Sequence, residues 1–176
     1  MTMTPGLRKF ALTAHVTFSV GWLGAVIGSL ALAIAGLVSR DAQVVRAAYL
    51  MLELIGWYVL VPLSLASLIT GLVMSLGTAW GLFRHYWVLI KFLINLFATI
   101  VLLMYMQTLS YLASVAAETT LSGGDVAGLR SPSPVLHAGA ALLLLLVAVT
   151  LSVYKPRGIT RYGRRKLREQ RTAAQP

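Results

Sequence analysis

The stretch LTAHVTFSVGWLGAVIGSLALAIAGLV, Leu12–Val38, carries no formal charge and a single titratable side chain, that of His15. A bilayer's hydrocarbon core is crossed by a helix of about 20 apolar residues, so this stretch predicts a membrane span. Three further apolar runs follow it, and in lipid they must be helical because open strand edges would leave backbone groups unsatisfied. The sequence therefore predicts an all-α, four-helix transmembrane bundle, with spans at about 10–38, 47–76, 86–117 and 135–154.

The composition agrees with a membrane protein of one domain. Hydrophobic residues make up 58% of the 176 residues and charged residues 11%, whereas soluble domains are about 25% charged. Residues 1–155 form the predicted transmembrane domain, and 156–176 form a basic tail. The absence of cysteine excludes disulfides, thiolate metal sites, iron–sulfur clusters and covalent c-type haem. Any metal or cofactor must be held by histidine, methionine, lysine, carboxylate or backbone groups.

The positions of the cations predict the orientation of the bundle. Four spans put both termini on one side of the membrane, and short cationic segments stay in the cytoplasm. Twelve of the 15 lysines and arginines fall on the side of the termini, and only Arg40, Arg46 and Arg130 fall on the other. We therefore expect both termini in the cytoplasm.

The basic start of the chain resembles that of a secretory signal peptide. Arg8 and Lys9 precede the apolar run, and an A-x-A pattern ends at Ala35. The apolar run before that pattern has about 23 residues, whereas the apolar part of a signal peptide has about 7–15. We therefore expect an uncleaved first span.

The basic tail KPRGITRYGRRKLREQRTAAQP begins at Lys155. It carries no RNA-binding motif and no aromatic platform, which argues against nucleic acid as its partner. Cations next to a membrane span are attracted to anionic lipids. The tail is therefore expected to bind anionic lipid at the bilayer surface.

His15 belongs to a polar stripe on the first span. At about 100° per residue, five side chains share one helix face: His15, Ser19, Trp22, Val26 and Ser29. Gly24 and Gly28 lie further round the helix and allow close approach of another helix or of a second copy of the chain. His15 is either a packed interface histidine or a ligand.

Lys91 is the single charged residue of the third span and lies six residues into it, on a stripe with Asn95 and Ala98. One interpretation is that its long side chain snorkels to the interface. The other is that its ammonium pairs with an anionic ligand group inside the bundle.

A second polar set is expected towards the outer side. Glu53, Gln107 and His137 reach similar depths and could meet as the proton-accepting or cation-binding site of a transporter. Three methionines lie in the outer halves of their helices: Met51, Met104 and Met106. Thioether and imidazole groups together suit Cu(I). The alternative is that Glu53 pairs with Arg46 or is kept neutral by burial, and that the methionines pack in the core.

Two short phrases resemble known membrane families. HVTFSVGWLG, which contains His15 and Trp22, resembles the opening of CopD-type copper-resistance proteins and of HemJ-type protoporphyrinogen oxidases. WVLIKFLINL, with Trp87 four residues before Lys91, resembles the lysine-bearing helix of the same groups. From the first span through TGLVMSLGTAWGLFRHYWVLIKF the chain is more similar to a bacterial family of integral membrane proteins classed only as a domain of unknown function.

The resemblance implies a b-type haem or related tetrapyrrole within the bundle. His15 matches the haem-iron ligand and Lys91 matches the helix-three lysine, with Trp22 and Trp87 beside them. The third span has no histidine, unlike the HemJ pattern, so the likeness does not extend to oxidase activity. The resemblance to a bacterial family implies that the protein lies in the cytoplasmic (inner) membrane. Two other classes remain open: a copper or proton-coupled transporter, and a structural or accessory subunit that forms a homo-oligomer or joins a membrane partner.

Overall fold

The structure, a computed structural model, describes residues 3–78, 81–118 and 128–173. Within those ranges the regular elements are helices, and four helical stretches are long and apolar enough to cross a membrane. The chain is a multi-pass membrane protein with an all-α, four-helix bundle, which confirms the predicted fold class. The elements in chain order are α1 (Pro5–Val38), α2 (Ala42–Ile55), a π-helical segment (Gly56–Leu60), α3 (Val61–Gly77), α4 (Tyr86–Ala117), α5 (Ser133–Tyr154) and α6 (Arg161–Ala173).

The spans form a closed, four-sided bundle. α1 packs against α2 and α3, which together make the second span, and α4 packs against that span in turn. α5 packs against both α4 and α1 and completes the fourth side. Large apolar side chains such as Phe10, Ile69 and Leu143 remain exposed on the outer surface, as expected for contact with lipid.

The second span contains the only irregular helical segment among the described residues. Pro62 has no N–H, so the carbonyl group four residues earlier would lack its helical partner. The helix widens here into the π segment Gly56–Leu60, in which the Val61 N–H donates to the carbonyl of Gly56. Such segments occur mostly as single turns inside α-helices. Gly56 has no side chain and lets the buried Met106 of α4 pack directly against it.

Both ends of the described chain lie at one end of the bundle, which we call the terminal end. The Met3 N–H donates to the Gly77 carbonyl at 3.2 Å, and the Thr160 N–H donates to the Arg84 carbonyl at 3.0 Å. Gly163 is required here because a Cβ atom would lie 2.5 Å from the Arg84 carbonyl oxygen. The start of the tail is thus docked on the loop between α3 and α4. Which end of the bundle faces the cytoplasm stays a prediction from the cations.

The small-residue face of α1 points outward. A Cβ atom added to Gly24 or Gly28 would meet nothing within 4 Å. Close packing inside the bundle occurs instead at Gly36, where a Cβ atom would lie 3.2 Å from the Tyr49 ring. Gly24 and Gly28 are therefore open to lipid or to another chain.

Candidate functional site

His15 is held between three helices near the terminal end. Its side chain is 8% exposed. Nδ1 lies 3.1 Å from the Thr70 hydroxyl oxygen of α3, and Nε2 lies 3.3 Å from Nζ of Lys91 on α4. Gly71 admits the ring, because a Cβ atom there would lie 3.1 Å from Cε1 of His15. His15 and Lys91 thus meet directly, although they are far apart in the sequence.

The partners of His15 assign the proton of its ring. The Thr70 hydroxyl donates to the Ala66 carbonyl at 2.6 Å, so it is left to accept from Nδ1–H of His15. A lysine ammonium can only donate, so the Nε2 atom that it contacts must be the bare nitrogen. The structure therefore assigns the Nδ1–H tautomer with a lone pair on Nε2, the arrangement in which an imidazole can bind a metal.

The Lys91 side chain turns into the protein and does not snorkel away from it. Its stripe faces inward, since Asn95 and Ala98 are buried. The ion pairs found in the described part of the chain join Glu169 to Arg165 and Lys166, all on α6. The Lys91 ammonium consequently faces a neutral imidazole and no carboxylate, which is a costly state for a charge removed from water.

A cavity of about 290 Å³ lies beside this pair, between α1, α4 and α5. We call it the His15 cavity. Its polar wall includes the hydroxyl groups of Ser19 and Ser67, which bond each other at 2.8 Å. The apolar wall is formed by side chains of α1 and α5: Val16, Val20, Trp22, Leu23, Leu145, Ala148, Val149 and Val153. The arrangement offers one imidazole and one ammonium at the edge of an apolar space.

A second cavity, of about 300 Å³, lies on the other side of Trp22. We call it the Ser29 cavity. Its wall is almost entirely apolar, and four aromatic rings contribute to it: Trp22, Phe97, Tyr105 and His137. The Ser29 side chain is 4% exposed, and its hydroxyl group makes no hydrogen bond with any described residue. Trp22, which is 2% exposed, separates the two cavities.

Three of the four residues predicted to bind a cofactor share one cavity. His15, Trp22 and Lys91 all line the His15 cavity. Trp87 lies in the first turn of α4, half-buried, and is not among the residues that line this space. Thr70 was missed by sequence analysis, although a threonine next to a glycine in an apolar span was the available signal.

The residues of the predicted outer site are not brought together. The His137 ring stacks on Tyr105, with centroids 3.8 Å apart, and its Nδ1 donates to the Ser133 carbonyl at 2.9 Å. Gln107 follows Tyr105 by two residues and projects from nearly the opposite side of α4. Gln107 is exposed there, whereas His137 of α5, itself partly open to the surface, lies against the Tyr105 side of α4. In the described ranges, no three histidine, aspartate or glutamate side chains form a group that could hold a metal.

The expected pairing of Glu53 with Arg46 is also not observed. Arg46 donates instead to the Ala117 carbonyl at 3.0 Å. Glu53 is half-buried, and the structure gives it no hydrogen bond or ion pair among the residues described. The charge of this residue is therefore not neutralised by the partner that the sequence suggested.

The three methionines considered for Cu(I) lie in different environments. Met104 is 71% exposed on the outer surface, whereas Met106, two residues later, is fully buried in the core. Met51 is exposed as well. Core packing, the alternative to a Cu(I) site, accounts for Met106 and not for the other two.

Neither protein-family models, nor curated proteins, nor solved structures yielded a match to this chain. The resemblance to the CopD and HemJ types rests on the two sequence phrases and remains a prediction.

Proposed function

We propose that this multi-pass membrane protein binds b-type haem, or a related tetrapyrrole, in the His15 cavity, with Nε2 of His15 as the iron ligand. The observation that carries this proposal is the pairing of His15 with Thr70. A metal-binding histidine nearly always donates its other ring N–H to a neighbouring group, which fixes the ring and makes it a better ligand. Thr70 provides that partner and leaves the lone pair of Nε2 at the cavity wall.

The cavity also suits the rest of the cofactor. Its apolar wall, with Trp22 at one end and Leu145 and Val149 on α5, matches the hydrophobic face of a porphyrin. A volume of about 290 Å³ is small for such a ligand, since pockets for small molecules measure about 300–1,000 Å³. Binding of a whole porphyrin would therefore require the packed helices α1 and α5 to move apart.

Lys91 supplies the charge that a haem propionate requires. Its ammonium has no carboxylate partner in the described structure, and a propionate would give it one. Lys91 would then leave Nε2 of His15 and free that nitrogen for iron. The amide of Asn95, which lines the same wall, is a further hydrogen-bond donor for the propionate.

The wall of the His15 cavity contains one histidine and no methionine or tyrosine. Among the described residues, His15 would therefore supply the iron ligand, and this wall offers no second one. A bound haem would supply one-electron chemistry, with a potential set by its ligand and surroundings. The cation distribution and the bacterial resemblance support a place in the cytoplasmic membrane with this cavity towards the cytoplasm. The transporter stays a prediction without structural support, because its residues lie apart.

The test is the absorption spectrum of protein purified from cells grown with ample haem precursor. We expect a Soret band in the wild-type protein and its loss in His15→Ala. His137→Ala is the matched control and should keep the pigment, because His137 lies in the other cavity. Lys91→Met should weaken haem retention more than Lys91→Arg, whereas a snorkelling lysine would make the two variants alike.

Monodisperse elution and an unchanged helical circular dichroism spectrum of each variant show that the fold survives. A wild-type protein that meets both criteria yet shows no Soret band, even after haem is added back, would overturn the proposal.

A further inference from the structure

We propose that the Ser29 cavity binds a lipid-soluble molecule with a planar, conjugated headgroup that carries a carbonyl oxygen. An isoprenoid quinone is the class of ligand that fits. The proposal is independent of haem, because it rests on a different cavity and on different polar groups.

The first argument is the unused hydroxyl group of Ser29. Buried serines in helices normally donate to a carbonyl three or four residues earlier. Ser64 donates to Val61 at 2.9 Å and Ser75 donates to Leu72 at 2.8 Å in this way. Ser29 is 4% exposed and makes no such bond. A buried polar group without a partner is costly, so a ligand that accepts a hydrogen bond from Ser29 would recover that cost.

The second argument is the shape and chemistry of the wall. Four aromatic rings line the space: Trp22, Phe97, Tyr105 and His137. Two of them, Tyr105 and His137, are already stacked on each other, with an angle of 13° between their planes, and hydrogen bonds to Ser133 hold both rings, so this part of the aromatic surface is fixed. Aromatic rings pack best against other planar π-systems. A flexible acyl chain would need no such surface, so the wall favours a planar headgroup.

The third argument is access. The cavity follows α5 from Pro134 to Leu144, which is about 15 Å at 1.5 Å per residue. It is lined by α1, the second span, α4 and α5, and Phe97 of α4, which lines it, is also exposed on the outer surface of the bundle. A ligand would therefore enter sideways from the bilayer and not from water. The cavity has room for a headgroup, and the rest of an isoprenoid tail would remain in lipid.

His137, in the wall of the same cavity, extends the range of headgroups that the Ser29 cavity could bind. Because Nδ1 of His137 donates to the Ser133 carbonyl, Nε2 of the neutral ring is the nitrogen left to accept a hydrogen bond. Ser29 can donate to the carbonyl of a quinone, and His137 can accept from the hydroxyl of a quinol. The wall thus contains a partner for each redox form of the same ligand.

The experiment titrates protein purified without added haem precursor, and free of a Soret band, with decylubiquinone and follows quenching of tryptophan fluorescence. We expect saturable quenching in the wild-type protein and its near loss in Trp22→Phe, which removes the reporter inside the cavity. Ser29→Ala should weaken the affinity about fivefold, the usual effect of one hydrogen bond. Ser64→Ala, a matched change at a buried serine outside the cavity, should not alter it.

Two further variants distinguish binding in the Ser29 cavity from binding in the His15 cavity. Ala138→Phe fills the cavity and should abolish binding, whereas His15→Ala should leave the quinone affinity unchanged even if it removes haem. Unchanged affinity in Ser29→Ala would overturn the proposal, because the hydroxyl would then have no role. Displacement of decylubiquinone by dioctanoyl phosphatidylcholine, with equal loss of both ligands in Ser29→Ala, would overturn it in favour of a phospholipid carbonyl. Each variant is compared only if it elutes as a single species with wild-type helical content.

Discussion

The two cavities on either side of Trp22 have nearly equal volumes, about 290 and 300 Å³, yet they differ in chemistry. In the His15 cavity the polar side chains bond one another, and what is missing is a counter-charge for Lys91. In the Ser29 cavity the described wall residues carry no lysine, arginine, aspartate or glutamate, and one hydroxyl group lacks a partner among them. The same bundle can thus present two different ligand preferences.

The difference between the two cavities lies in their polar groups and not in their size. Both cavities are bounded by apolar side chains of α1 and α5, which any hydrophobic ligand could contact. An ammonium beside a bare imidazole nitrogen would favour an acidic, metal-containing molecule. A neutral hydroxyl group among aromatic rings would favour an uncharged, planar one.

Trp22 lies between the two cavities, and its replacement has the largest effect on stability that we predict. Trp22→Ala deletes a side chain that is almost fully buried and would join the cavities. Replacing a buried tryptophan by alanine costs about 3–5 kcal/mol because packing contacts are lost and a void remains. We expect a large fall in the midpoint of thermal unfolding in detergent, measured by circular dichroism, together with weaker binding of both ligands.

Trp57→Ala is the control, because Trp57 is 45% exposed and its indole N–H bonds the Ser110 hydroxyl. Equal destabilisation by the two changes would show that Trp22 has no special place between the cavities.

The next largest predicted effect is on haem dissociation, and it tests the ring orientation of His15 through its partner Thr70. Thr70→Val keeps the shape of the side chain but removes the hydroxyl group that accepts from Nδ1–H. Loss of such a partner commonly lowers metal affinity by about 10–100-fold. We expect haem to dissociate at least about tenfold faster in a transfer assay to apomyoglobin, whereas decylubiquinone should bind as before.

Thr99→Val is the matched control for this change. Thr99 is a buried threonine that donates to the Asn95 carbonyl and lines neither cavity. Haem release at the wild-type rate in Thr70→Val would contradict the tautomer assignment.

Local features of the fold could be predicted from the sequence. The four spans follow from uninterrupted apolar runs, which depend on neighbouring residues alone. The inward face of α1 follows from helical periodicity, and the burial of His15, Trp22 and Ser29 confirms it. Lys91 could be singled out from the sequence because a charge within a span is costly wherever it points.

Features that depend on how helices rotate against one another could not be predicted. The contact of His15 with Thr70 joins residues 55 positions apart, and periodicity does not specify which helix faces which. The same limit explains why the residues predicted for the outer site do not meet. Gln107 and His137 reach similar depths, but depth does not reveal that they lie on different sides of α4. The docking of Thr160 on Arg84 likewise depends on two loops meeting in space.

The smallest predicted effect concerns Glu53, which lines neither cavity. Glu53→Gln keeps the shape and hydrogen-bonding capacity of the side chain and removes its charge, so a group without an ion pair should lose little. We expect the free energy of unfolding to change by no more than about 0.5 kcal/mol and the affinities for haem and decylubiquinone to stay the same. Glu53→Lys, which adds a longer cationic side chain to the same half-buried position, should destabilise the protein more. If Glu53→Gln instead abolished copper or proton transport by cells that express it normally, the outer half of the bundle would hold a third site. The contrast between the two cavities would then no longer account for the polar residues of the spans.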